Sequence, residues 1–290
     1  MLHSGKMTGT LVLRPAPGPH PLAPLELRLN VHAPTARFGA MRLGDSRFDL
    51  FINHHSLVLD HSRLALAGGV LHLWAQLGRH SGGVYSTHVV LRFNHIHLGQ
   101  ITRTVKPNDP PIPGVLRGHL SVVVLPGHWN DAFGEGDLHI THSNLTHSTI
   151  IASLYRGLHI GLDQGTPTGH GMARWRVENG DAYITELRYW NRGVNVLASG
   201  SLRDIWRIPD SRIRGYAIGT AQPFRILHIP FVPQAQGVLT ALESNVSAVQ
   251  VGGTWANPVS TPATFTQLGT AIQQTFVRAI LGRPETSTPR

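Results

Sequence analysis

Cysteine is absent from the 290 residues, which excludes disulfides, thiolate zinc sites and cysteine nucleophiles together. Lysine is nearly absent too. Only Lys6 and Lys106 occur among 25 basic residues, so arginine carries almost all the fixed positive charge. Acidic residues number 16, and the formal charge is +9. No uncharged apolar run reaches the roughly 18 residues that a membrane-spanning helix needs. Met1 to Thr10 has no apolar stretch of the signal-peptide kind, so neither a leader nor an anchor helix is expected. Catalytic signatures are missing as well: there is no G-x-S-x-G elbow and no phosphate-binding P-loop. The glycine-rich Gly165–Gly171 leads into strand-like sequence, whereas a phosphate loop opens onto a helix N-terminus.

What is present is an apolar, weakly charged chain, 41% hydrophobic and 14% charged. That is too apolar for a disordered polymer and too regularly interrupted for a helical membrane protein. The length allows a large core in one domain or two. The positive balance points toward anionic partners such as phospholipid head groups or acidic glycans. The arginines form no basic run, and nucleic-acid binding is not expected. Six scattered tryptophans likewise make no stacking platform.

The dominant pattern has period two, the signature of half-buried strands. Leu25, Leu27, Leu29 and Val31 alternate with polar residues, as do Phe48, Leu50 and Ile52. Leu57, Leu59, Leu64 and Leu66 lead through Gly68-Gly69 to Leu71, Leu73 and Ala75, followed by Val89, Leu91 and Phe93. At Asn94 the phase slips by one, and Ile96 and Leu98 carry the apolar positions, which predicts a bulge or tight turn. Asn179-Gly180, between Ala173–Val177 and Ala182–Tyr189, predicts a two-residue hairpin. Further strands are expected through Gly200, Thr220, Ile229 and Val251.

Two helices interrupt the strands. One is expected near 146–158, capped by Ser143 or Asn144, with Ile150, Ile151, Leu154 and Leu158 on one face. The other is expected near 263–281, after Pro262, with Phe265, Leu268, Ile272, Phe276 and Ile280 at helical spacing. The proline-rich stretch Pro107–Pro113 and the region of Gly134 are candidate boundaries.

Amphipathic strands make a sheet with one apolar face, and two helices cannot cover so many strands. The solutions are two sheets face to face, a closed barrel, or a curved sheet whose apolar groove takes a foreign apolar ligand. In the groove solution the lining falls to Leu25, Leu27, Leu29, Phe48, Leu50, Ile52, Val89, Leu91 and Phe93. A sandwich would instead serve as a binding module for an anionic glycan or another anionic partner.

Nineteen histidines raise the question of metal. His95-x-His97 puts two imidazoles about 7 Å apart on one strand face, a usable ligand spacing. No carboxylate lies within ten residues of either, and a metal site wants a third ligand and carboxylate support. A polar outer face that uses histidine in place of lysine or glutamate accounts for them more simply. His54-His55 and His139-x-x-His142 are weaker versions of the pattern. Glu135 and Asp137 share a strand face and Asp131 is near, but Asp131–Asp137 reads as a loop entering a strand, and an acid pair for glycoside hydrolysis is not expected. No catalytic residue, cofactor or metal is assigned.

From Gly134 onward the chain resembles the C-terminal region of the AsmA-like family. The matching features follow in order: Gly134-Glu135-Gly136-Asp137-Leu138, then Ser143-Asn144-Leu145 and a short helix, then the hairpin around Asn179-Gly180. Next come Arg192-Gly193-Val194-Asn195-Val196-Leu197-Ala198-Ser199-Gly200-Ser201-Leu202, then Pro223-Phe224-Arg225-Ile226 and Ile229-Pro230-Phe231. Val251-Gly252-Gly253-Thr254-Trp255-Ala256-Asn257-Pro258 is similar to the family's closing V-x-G-T-x-x-x-P element, with a final helix after it. The resemblance implies an elongated, curved antiparallel β-meander with an apolar groove, in a non-enzymatic envelope protein of diderm bacteria. It implies phospholipid acyl chains and the membrane or membrane proteins as partners, and a role in moving lipid and supporting outer-membrane assembly. It also implies a periplasmic location. Members normally begin with an anchor helix, so this chain reads as part of a longer one. The resulting division is a β-meander segment over 1–133, an AsmA-like region over 134–282 and a disordered tail over 283–290.

Overall fold

The structure, a computed structural model, describes residues 8–15, 25–38, 40–53, 56–79, 85–105, 107–125, 127–145, 148–158, 169–191, 194–207, 209–220 and 247–263. It is mainly β, as the alternation requires. The first strands are β1 (Thr8–Pro15), β2 (Leu25–Ala33), β3 (Ala36–Phe38), β4 (Met41–Ile52), β5 (Ser56–Leu66), β6 (Gly69–Arg79) and β7 (Tyr85–His97). Helix α1 (Leu98–Val105) follows, then β8 (Val115–Leu125), β9 (His128–Ser143) and α2 (Thr149–Gly157). The series ends with β10 (Gly169–Glu178), β11 (Asp181–Trp190), β12 (Asn195–Arg203), β13 (Arg212–Thr220), β14 (Ser247–Gly253) and β15 (Pro258–Pro262).

All these strands belong to one antiparallel sheet whose order follows the chain from β1 to β15, with β3 set beside β4. β1 and β15 are the two ends of that path, so the sheet is open. A sandwich needs a second sheet, and among the described residues there is none. The chain divides into two compact units, Met1–Leu138 with Val177–Gly180, and His139–Arg176 with Asp181–Arg290. The division falls inside β9, of which Gly134 is an interior residue.

Several local expectations hold. Asn179 and Gly180 both adopt positive φ, 54° and 75°, as the tight hairpin between β10 and β11 demands. The slip at Asn94 is a bulge: the β7–β8 register shifts between Phe93 and Ile96, and His95 sits at φ 55°. β5 carries a similar shift between Leu59 and Leu64, with His61 at φ 44°. Histidine tolerates this left-handed conformation better than most side chains do. After each bulge the apolar residues return to the face they left.

Three expectations are corrected. Leu98 is not a strand residue; it begins α1, which sequence reading missed. The N-cap of α2 is Ser148, because Ser143 is still paired in β9 and Asn144 follows it. Asp131–Asp137 is not a loop but the middle of the sixteen-residue β9. Gly134 marks close backbone approach, since a Cβ there would collide with the Ser121 carbonyl oxygen. The helix expected over 263–281 and the tail over 283–290 lie outside the described residues, apart from Ala263.

In the second unit the sheet has a lid. Ile151, Leu154, Tyr155 and Leu158 of α2 and its C-cap pack on Tyr189, Val196, Ala198, Ala217, Val249 and Val251 from β11 to β14. The rings of Tyr155 and Tyr189 meet edge to face at 6.4 Å. Gly157 lets the helix lie close: a Cβ there would stand 2.7 Å from that of Ser260. Ser153 Oγ and Ser260 Oγ share a hydrogen bond of 2.8 Å at the same contact.

Candidate functional site

Residues directly opposite in an antiparallel pair point to the same side. In the first unit the register therefore lines up apolar residues strand after strand. One row runs Leu29, Leu50, Leu59, Ala75, Val89, Val122 through β2, β4, β5, β6, β7 and β8. A second runs Leu27, Ile52, Leu57, Leu77, Thr87, Val124 across the same strands. On the side of the first row away from the second stand Val31 and Phe48 in β2 and β4, and Leu73, Leu91 and Leu120 in β6, β7 and β8. Leu64, Leu71 and Phe93 lie beyond them. No charged side chain interrupts these rows.

The sequence-derived lining is thus brought together. Leu27, Leu29, Phe48, Leu50 and Ile52 share this face with Val89, Leu91 and Phe93, and Leu25 takes its backbone place in β2 opposite Pro15. The two groups are bridged by Leu57, Leu59, Leu71, Leu73, Ala75 and Leu77, which that lining omitted. Their alternation was visible, but only the register shows that β5 and β6 lie between.

Burial separates this face from its counterpart in the second unit. Leu29, Leu50, Leu59, Ala75, Val89 and Val122 of the first row are only partly buried, as are Leu27, Ile52, Leu57 and Leu77 of the second, while Ala33, Ile96, Leu116 and Val124 at the margins of the face are buried; Val196, Ala217 and Val249 under α2 are 1%, 1% and 0% exposed. Strand neighbours shield the side chains laterally, and among the described residues no element packs over the two rows as α2 does over the second unit; α1 reaches from the end of β7 as far as β4. The strands make their substantial contacts with sheet neighbours, and α1 adjoins β4 without burying a residue of its own. Six strands at about 4.8 Å give an apolar width of roughly 24 Å.

The opposite face is mixed: Phe51, Val58, Trp74, Val90 and Val123 share it with polar residues, and it carries histidine where lysine or glutamate is usual. His32, His72, His88 and His119 alternate with the apolar rows. Trp74 meets His88 edge-on at 4.9 Å, and His88 Nε2 lies 3.0 Å from Ser121 Oγ. The Arg28 guanidinium sits 5.1 Å from the centre of the Phe51 ring. Aspartates here pair with histidines: Asp45 with His32, Asp137 with His119, and both Asp49 and Asp60 with His61 at 3.5 and 3.3 Å. Asn30 donates to Asp49 at 2.5 Å.

The hydrogen bond from His32 holds the Asp45 carboxyl below its ordinary value against the opposing effect of desolvation, with help from the charges of His32, Arg47 and Arg63. A depressed carboxyl contributes stability above its unfolded-state value, and that contribution is lost as pH falls through the folded one. For this exposed pair the window is therefore the acid side of about pH 4. In a His32→Ala variant the Asp45 titration, followed by carboxyl carbon NMR, is expected to move up toward the ordinary aspartate range; an unmoved midpoint would remove His32 as the cause.

The other candidate chemistry is dispersed. His95 faces the guanidinium of Arg117, and a cation beside the ring opposes a metal there. His97 packs over the Gly68 turn, where a Cβ would stand 2.7 Å from its ring. Among the described residues no three His, Asp or Glu side chains are grouped to hold a metal ion. His54-His55 lies outside those residues. His142 lies beside His170, whose ring stacks on Trp190 at 5.5 Å. Asp137 is engaged by His119, and Asp131 lies 3.5 Å from His128.

No family model matches the chain, and no curated protein or solved structure matches it. Among the described residues no helix is long and apolar enough to cross a membrane.

Proposed function

We propose that the apolar face of the first unit shelters phospholipid acyl chains, and that the protein is a non-enzymatic component of a diderm cell envelope handling lipid on the periplasmic side. The observation that carries this reading is the uninterrupted apolar register over β2 and β4–β8, whose two rows have no described element packed over them as α2 packs over the second unit. Apolar surface of that extent left to water is unfavourable by about 25 cal/mol per Å², so an occupant is favoured. Its width of roughly 24 Å exceeds the depth of one bilayer leaflet, about 15 Å, which an acyl chain spans. Each methylene moved from water onto such a surface contributes about 0.8 kcal/mol, and head groups at the rim stay hydrated. The AsmA-like order of motifs from Gly134 to Pro258 supports the envelope setting and a role in lipid movement and outer-membrane assembly, with the membrane or membrane proteins as partners.

The test is direct. Protein purified from cells without detergent is extracted with organic solvent, and the extract is analysed by mass spectrometry. Phospholipid in stoichiometric amount is the expected result. Protein free of lipid, from cells in which the unit is folded, would sink the reading.

A further inference from the structure

The histidine-bearing face of the first unit holds a feature with no counterpart in the linear sequence. His32 stands opposite Arg47, and Arg47 opposite Arg63. His72 stands opposite Arg92, and Arg92 opposite His119. The two trios join across β5 and β6, where the His72 ring nitrogen lies 3.2 Å from the Ser62 carbonyl, next to Arg63. One cationic or protonatable side chain thus comes from each of β2, β4, β5, β6, β7 and β8, in a line about 24 Å long.

Like charges directly opposite in a sheet are destabilising. Asp45 offsets His32 and Arg47 at one end, and Asp137 offsets His119 at the other. In the middle, among the described residues, no carboxylate lies within ion-pair distance of Arg63 or Arg92, both of which are exposed. The row therefore carries an unfavourable self-energy that an external anion would relieve.

Its shape selects among anions. The cations form a single line. On one side the next positions are Asn30, Asp49 and Asp60 on β2, β4 and β5. Those carboxylates repel a plane of anionic head groups but not a narrow chain laid along the row. No aromatic ring stands in the row to stack bases, and Trp74 beside it is already turned edge-on to His88. We propose that the row His32–Arg47–Arg63–His72–Arg92–His119 binds an extended acidic polysaccharide, with successive sugar carboxylates meeting successive strands.

Binding along the row does not depend on what occupies the apolar face.

The experiment titrates the full chain with polygalacturonate at pH 7.5, using dextran as the uncharged control. Affinity is expected to be about tenfold lower in an Arg47→Gln/Arg63→Gln/Arg92→Gln variant, three exposed charge contacts being lost. That variant is also expected to melt no lower than the parent, because opposed cations have been removed. An equal charge change off the row, Arg103→Gln/Arg207→Gln/Arg212→Gln, leaves binding within twofold. The same loss in both triple variants would reduce the effect to net charge and overturn the proposal. So would failure to bind polygalacturonate while single-stranded DNA or phosphatidylglycerol vesicles bind.

Discussion

A Leu50→Glu variant is expected to keep the parent's far-ultraviolet spectrum and to lose its co-purifying phospholipid. Leu50 sits between Leu29 and Leu59 in the middle of the apolar row and is only partly buried. In the free protein a glutamate there trades one half-wet side chain for another, and the folding cost stays near the 1 kcal/mol span of strand propensities. In the lipid-bound protein the same carboxylate faces hydrocarbon. Losing contact with about three methylenes removes roughly 2.4 kcal/mol, or about fiftyfold in affinity, before the cost of desolvating the charge is added. The two readouts separate the possibilities. If Leu50 were in an ordinary packed core, the substitution would unfold the unit. If the face held nothing, lipid content would not change.

A Leu154→Ala substitution is expected to have the opposite character. Leu154 is 1% exposed, on the inner face of α2, in one cluster with Val196, Ala198 and Val249. Truncation should cost about 2–5 kcal/mol, with little relief because the helix and four strands fix the walls of the cavity. Leu59→Ala in the first unit should cost under about 1.5 kcal/mol, since much less apolar area returns to water. Hydrogen exchange read strand by strand checks both: protection of β12–β14 falls in the first variant, and protection of β5–β6 is nearly unchanged in the second. Equal losses would mean that the two faces are covered alike.

The sheet was legible because its signal is redundant. Alternation repeats in nearly every strand, the Asn179-Gly180 turn permits one hairpin geometry, and the phase slip at Asn94 has few physical explanations. Helix α2 was legible from Ile151, Leu154 and Leu158, although its cap was expected at Ser143 or Asn144 and is Ser148. Helix α1 was hidden because Ile96 and Leu98 continue a strand-like pattern up to its first residue, Leu98. β9 was hidden by glycines that resemble a loop, of which Gly134 serves close strand approach. The candidate lining was legible in its composition but not in its extent, because β5 and β6 join its two halves only through register. The cationic row was invisible for the same reason: positions 32, 47, 63, 72, 92 and 119 have no common period. Strand pairing converts irregular intervals into one line.

These features give the first unit two surfaces of different chemistry, one apolar and one carrying arginine and histidine, separated by the thickness of a single sheet. The second unit resolves its apolar face internally through α2. The account depends on the first unit not doing the same. Val58 and Leu59 test this most directly, since neighbouring strand residues point to opposite faces. A photoreactive benzophenone side chain is placed at each position in turn, the cells are irradiated, and adducts are identified by mass spectrometry. Phospholipid attached from position 59 and not from position 58 is the predicted result. Adducts from position 59 to this chain's own polypeptide, with no lipid, would show that the protein covers the face itself and would contradict the account.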